Sequence, residues 1–295
     1  MKVVIGSRDS KLAVVQSQMV IAFLREAHPG MDVSLATFKT TGDKILDRRL
    51  DEVGGKGLFV KELDAALRAE QCDYTVHSCK DLPMEVPYDL PLVCFSVRED
   101  PRDVLVFPQG ASEPDWSKPI GTSSRRREIQ LRALFPHATF ESVRGNLQTR
   151  LRKLDEGGYG ALVLAAAGLK RMGLEERIGR YLAVDEVIPS AGQGVLAVQG
   201  RADAQPALFE GFANGQVAVA VAAERAFVAR LDGGCSSPIA AHATVEGGMF
   251  QLRGMYYDEG TQQAWRGSVS GSVEEALTHA RDLADRLRAG EGEQI

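Results

Sequence analysis

Two kinds of side chain in this sequence are set to do chemistry: single reactive groups in small-residue turns, and arginines gathered into short runs. Cys235 follows Gly233 and Gly234 in GGCSSPI, where the absence of bulk permits a tight turn and a reachable sulfur. Attack on carbon by such a thiol is favoured by positive charge nearby, and the plainer reading is one more core cysteine. Asp81 stands in HSCKDLP, between Lys80 and a proline-rich stretch. A carboxylate there can relay protons or stabilise a cation, or simply cap a turn. Residues 121 to 153 carry eight basic and two acidic side chains. Arginine binds carboxylate or phosphate through a planar, two-pronged fork, whereas a solvated helix face is the bland alternative.

These groups need elements to aim them. The segments IGSRDSKLA and IGTSSRRRE share one device: an apolar run, a small-residue turn with arginine, then an amphipathic stretch. Strand, turn and helix in that order direct backbone N–H groups, hydroxyls and guanidinium forks to one side of a sheet, which suits an anion. Asp9 or Ser10 is the candidate N-cap of the first helix. The alternation of VVIG, Ser10 to Ala27, VSLATFKT, Gly57 to Glu70 and YTVHS predicts a first βαβ lobe. Prolines at 83, 87, 91 and 101 interrupt it. DVLVF, PIGTSS, a helix over Arg125 to Leu134, TFESV, a helix over Leu147 to Asp155 and ALVLAAAG then predict a second lobe. VLAVQ is expected to return to the first lobe's sheet.

An alanine-rich helix over Val217 to Leu231, three β-like runs and a helix over Val273 to Arg288 predict a small α+β domain. Ala276, Leu277, Ala280, Leu283, Ala284 and Leu287 are its expected core stripe. The domains are placed at 1–98 plus 192–214, 99–191 and 215–295. A chain of 295 residues exceeds one ordinary core.

Composition excludes more than it assigns. Net charge is −5, which argues against a nucleic-acid binder, and no helix-turn-helix segment is present. The start MKVVIGSRDS lacks a signal-peptide core or a membrane span, so a cytoplasmic protein without a membrane partner is expected. Cys72, Cys79, Cys94 and Cys235 share no CxxC spacing, and the five histidines form no ligand pattern. Neither disulfides nor a metal are expected, and any special cysteine acts singly. Neither GxGxxG nor a P-loop occurs.

Read in order, SRDSKLAVVQ, TTGDKILD, GGKGLFVKEL, HSCKDLP, GTSSRRR, RGNLQTRL, AGLKRMG and GGCSSPI resemble the porphobilinogen deaminase family from end to end. The resemblance implies two βαβ-type lobes like those of periplasmic binding proteins around a cleft, plus the small α+β C-terminal domain. It implies a transferase of porphyrin (tetrapyrrole, heme) biosynthesis. Such an enzyme deaminates porphobilinogen and joins four units head to tail on a dipyrromethane primer, releasing hydroxymethylbilane. The family attaches that primer to a cysteine, here Cys235.

By the same resemblance Asp81 is catalytic. Lys80, Ser10, Asp43, Thr122, Ser123, Ser124, Arg126, Arg127, Arg144 and Gly145 hold the primer with Cys235. Arg8, Arg150, Arg171, Phe59, Lys56, Gln16 and Gln193 bind substrate, with Phe59 stacking on a pyrrole under a glycine-rich lid, DEVGGKGLF. Arg152 and Lys153 are assigned to surface ion pairs. Glu52 and Arg125 depart from the family pattern, where a basic residue and a leucine are usual. A monomer is expected. The rival is a non-catalytic two-lobed binding protein for a small polycarboxylate, which explains the arginines but not Cys235.

Overall fold

The computed structural model describes residues 1–44, 57, 59–234 and 237–295, with only the backbone at positions 43 and 44. The expected positions Cys235 and Lys56, the side chain of Asp43, and most of the DEVGGKGLF segment with Glu52 lie outside the described residues. By internal contacts the chain forms two compact units, Met1–Glu99 with Val195–Ala218, and Asp100–Gly194 with Val219–Ile295.

The first unit is built on a five-stranded sheet. Its strands are β1 (Lys2–Arg8), β2 (Asp32–Phe38), β3 (Tyr74–Ser78), β4 (Leu92–Phe95) and β10 (Leu196–Gly200), in the order β2-β1-β3-β10-β4. β1 runs parallel to β2 and β3, and β10 runs antiparallel to β3 and β4. The expected return of VLAVQ is therefore a central strand. Helix α1 (Lys11–Ala27) buries Ala13, Gln16, Ser17, Val20, Ile21 and Leu24, the three- and four-residue spacing of one helical face. Val20, Ile21 and Leu24 join Val3, Ile5, Val33, Val76, Val198 and Phe209 in the core. A short helix α2 (Thr41–Lys44) follows β2, and α3 (Lys61–Arg68) buries Leu63, Ala66 and Leu67. Gly6 is required where β1 passes Cys72, because a Cβ would lie 2.8 Å from that sulfur.

The second unit holds two sheets. One comprises β5 (Asp103–Val106), β6 (Ile120–Gly121), β7 (Phe140–Glu141), β8 (Ala161–Ala165) and β9 (Ile178–Tyr181), ordered β7-β6-β8-β5-β9. It repeats the first unit's scheme: two parallel pairings, then two antiparallel ones, so that one strand, β5 here and β10 there, runs against the rest. Helices α4 (Arg125–Leu134), α5 (Leu147–Asp155) and α6 (Ala166–Arg171) belong to it. The other sheet is an antiparallel meander of β11 (Ala240–Glu246), β12 (Met249–Asp258), β13 (Gln263–Ser272) and β14 (Glu293–Gln294). With it come α7 (Gly215–Arg230) and α8 (Ala276–Arg288).

Two local expectations are corrected. Val273–Glu275 form a 3-10 turn ahead of α8, not its first turn. Leu277, assigned to the core stripe, is 42% exposed, while Ala276, Ala280, Leu283, Ala284 and Leu287 are buried. At about 100° per residue, position 277 falls beside that stripe rather than on it.

Candidate active site

In the first unit β1 delivers Arg8 at its C-terminal end, and the Ser7 hydroxyl donates to the Arg8 carbonyl at 2.8 Å. The Arg8 guanidinium lies over the Phe59 ring, 4.2 Å from its centroid, a cation–π contact that holds the fork in place. Phe59, expected to stack on a pyrrole, thus has one face on Arg8. Ser10 occupies the N-cap of α1, but its hydroxyl makes no capping bond.

β3 leads to the other half of this site. Its last residue, Ser78, is hydrogen-bonded to the buried Gln16 amide on α1 at 2.9 Å. The chain then tightens into a 3-10 turn over Cys79–Asp81. The Cys79 N–H donates to the Val195 carbonyl at 2.9 Å, and the Leu82 N–H to the Cys79 carbonyl at 3.2 Å. Lys80 and Asp81 ride this pinned turn, half-buried. Gln16 thereby acts on the turn through Ser78. One residue before Ser78 in β3, His77 is buried and hydrogen-bonded to the Thr75 hydroxyl at 2.9 Å. Burial holds its pKa down at about 4, so it is neutral near pH 7.

In the second unit the turn between β6 and α4 carries Thr122, Ser123 and Ser124. The Thr122 hydroxyl accepts from the Ser124 N–H at 3.2 Å, and Ser123 donates to the Val143 carbonyl at 2.6 Å. Ser124 is the N-cap of α4, accepting from the Arg127 N–H. The turn's hydroxyls are therefore engaged in shaping it. Arg126 and Arg127, in the first turn of α4, are buried against Asp103 on β5. Arg126 reaches Oδ2 and Arg127 Oδ1, each at 2.7 Å, and the Gln193 amide donates to Oδ1 at 2.9 Å. Burial alone would raise the Asp103 carboxyl, but the two guanidiniums and their hydrogen bonds hold it well below the usual carboxylate range.

Asp103 was not singled out from the sequence; its only signal is an acid at the head of an apolar strand. Gln193, expected to touch substrate, is fully buried and donates also to the Pro101 carbonyl at 2.7 Å. Gly145 has φ +117°, and its carbonyl accepts from Arg150 Nε at 2.8 Å. Arg144 lies just before it, and Asn146 caps α5 through the Thr149 N–H at 2.9 Å. Arg171, ending α6, donates to the Gly194 carbonyl at 2.5 Å.

The remaining cations have local partners. Arg152 faces Glu156 at 3.9 Å on the surface, whereas Lys153 donates to the Arg144 carbonyl at 3.2 Å and forms no ion pair among the described residues. Arg125, the departure on α4, lies over the Tyr257 ring of β12 at 5.4 Å. Cys72 and Cys94 are buried free thiols, and Cys79 is buried as well. Burial, with Asp73 adding to it, pushes Cys72 up to about 11, and burial pushes Cys94 to about 12, so neither supplies thiolate near neutrality. Among the described residues no cluster could hold a metal ion, and no helix is long and apolar enough to cross a membrane.

Residues 3–208 match the family model described as "Porphobilinogen deaminase, dipyromethane cofactor binding domain", and residues 218–289 match "Porphobilinogen deaminase, C-terminal domain". A porphobilinogen deaminase of Ruminiclostridium cellulolyticum is 51% identical, the match covering 98% of each chain. That of Acetivibrio thermocellus is 52% identical over 88% of this chain and 89% of its own. Among solved structures, a substrate-binding domain of a putative amino acid ABC transporter from Streptococcus pneumoniae superposes with a TM-score of 0.43 at 13% identity. It covers 74% of this chain and 92% of that one.

Proposed function

The chain belongs to the porphobilinogen deaminase family, and on that premise we propose which of its residues carry the reaction. The reaction deaminates porphobilinogen and joins four units head to tail on a dipyrromethane primer, releasing hydroxymethylbilane. Matches over both family domains set aside the rival of a non-catalytic polycarboxylate binder.

The primer, when bound, supplies the pyrrole carbon onto which the chain grows, and its acetate and propionate arms bring several carboxylates. The donor set of the second unit fits such a group. Two buried guanidiniums share the single carboxylate of Asp103, leaving one positive charge in excess. Among the described residues, the Nε donors of Arg126 and Arg127 are buried without a hydrogen-bond partner. A buried surplus cation with unmet donors is costly unless an anion meets it. This surplus is the observation that carries the assignment of carboxylate binding to Arg126 and Arg127. Arg144, Arg150 and Arg171, with Arg8 in the first unit, serve the further arms. Lys80, Ser10, Asp43 and Lys56 complete this set of donors and positioning groups.

Thr122, Ser123, Ser124 and Gly145 shape the turns that present these cations. Gln16 and Gln193 work through Ser78 and Asp103 rather than by touching substrate. Phe59 holds Arg8 by one face and offers its other to a ring. Asp81 faces the reacting pyrrole: loss of ammonia leaves positive charge spread into the ring N–H, which a carboxylate stabilises and from which it can take a proton. Cys235 bonds the primer covalently as a thioether. The protein works as a cytoplasmic monomer without nucleic acid or membrane.

Intact mass spectrometry tests the whole assignment. The full chain should carry an adduct of two pyrrole units that Cys235→Ser lacks; an unmodified parent chain under active conditions removes the covalent reading. Asp81→Ala should keep the adduct yet lose turnover by about 10²-fold or more, and near-parental turnover would strike Asp81 from its role.

A further inference from the structure

We propose that Asp103 is a positioning residue for the primer's carboxylates, orienting the Arg126 and Arg127 guanidiniums and lowering the charge of their buried cluster from two to one. The inference rests on the reading of those arginines as carboxylate binders.

Each guanidinium is gripped at both terminal nitrogens. Arg126 bonds Asp103 Oδ2 at 2.7 Å and the Ile188 carbonyl at 2.5 Å. Arg127 bonds Asp103 Oδ1 at 2.7 Å and the Val163 carbonyl at 3.0 Å. With both ends held, each plane has a fixed direction; among the described residues Nε is the one guanidinium nitrogen on each that has no hydrogen-bond partner, while each terminal nitrogen keeps a second N–H. Asp103 itself cannot move to solvent, being fully buried, and Gln193 fixes one of its oxygens at 2.9 Å.

The carboxylate also sets the site's charge. Without it, two adjacent guanidiniums would repel each other in a dehydrated setting. With a second acid, the cluster would be neutral and hold no anion. One acid between two arginines keeps both in place and still leaves attraction for an incoming carboxylate.

The experiment compares Asp103→Asn and Asp103→Glu with the parent full chain. It reads the fraction of chains carrying the pyrrole adduct by intact mass, KM and kcat for porphobilinogen, and folding by far-UV circular dichroism. Asp103→Asn is expected to fold but to lower the primed fraction or raise KM about tenfold, the effect of a displaced charged hydrogen bond. Asp103→Glu, which keeps the charge, should restore most of the primed fraction. A folded Asp103→Asn with parental priming and KM overturns the proposal. So does failure of both variants to fold, which would assign Asp103 to folding alone. Arg126→Leu and Arg127→Leu separate the layers: if they also prime and bind normally, the arginine reading itself fails. If they lose priming while Asp103→Asn does not, only the role of Asp103 falls.

Discussion

His77 illustrates how far burial can move a single group from its solution chemistry. It sits in β3, buried, with a hydroxyl partner in Thr75, and burial lowers its pKa to about 4. In the unfolded chain it would titrate near the ordinary value of 6.5. Between those two values the unfolded state binds a proton that the folded state refuses, so stability rises with pH there and is lost as pH falls. The contribution is on the order of 3 kcal/mol, fully present above the upper value and gone below the lower one. Thermal unfolding of the parent and of His77→Gln, followed between pH 7 and pH 4, checks this. The parent should lose more melting temperature over that range than the variant, which lacks this one titration; parallel curves would show that His77 does not control the acid limb.

At the level of elements, a second buried acid joins pieces of the fold that lie far apart in sequence. Glu224, on α7, is fully buried, and its two oxygens accept from the Gly192 and Ala243 N–H groups at 2.7 Å each. It thereby ties α7 to β11 and to the segment whose next residues, Gln193 and Gly194, meet Asp103 and Arg171. α7 and β11 are the described elements that precede and follow Cys235 in the chain, and Glu224 links the two. Glu224→Gln keeps the shape but turns one acceptor into a donor facing an N–H. Leaving a buried group unsatisfied costs about 1–3 kcal/mol, so the melting temperature should drop by several degrees on calorimetry or circular dichroism. An unchanged melting temperature would remove this latch from the account. The elements themselves were mostly legible: α1, α4, α5 and the central strands follow from apolar spacing and caps. The strands β4 and β9 were not: β4 follows directly on Pro91 in a proline-broken stretch, β9 reads IGRY without an apolar run, and both lie at sheet edges. There pairing on one side suffices and flanking prolines, such as Pro91 before Leu92–Phe95, do no harm.

Across the whole molecule, what could be read ahead of the structure was which cations gather, and what could not was which acid disposes them. Arg126 and Arg127 stand out in a run of three arginines, but Asp103 lies 23 and 24 residues away and looks like any acid before a strand. Burial, which makes it a partner and not a surface charge, is a property of the packed sheet. The same is true of Gln16 and Gln193, whose amides turn inward to Ser78 and Asp103. The charge pattern of the full chain still has a consequence of its own. A net charge of −5 repels porphobilinogen's carboxylates at long range, while eight bases against two acids over residues 121–153 attract them locally. At low ionic strength both fields reach well beyond contact; near 0.5 M salt they are screened within about 4 Å, and only the short-range hydrogen bonds remain. If the local cluster dominates capture, KM should rise roughly 3–10-fold between 0.05 M and 0.5 M salt, with kcat changed far less. Steady-state kinetics over a sodium chloride series checks this. A KM that stays flat or falls with salt would mean that the net negative field, not the arginine cluster, governs the approach of substrate.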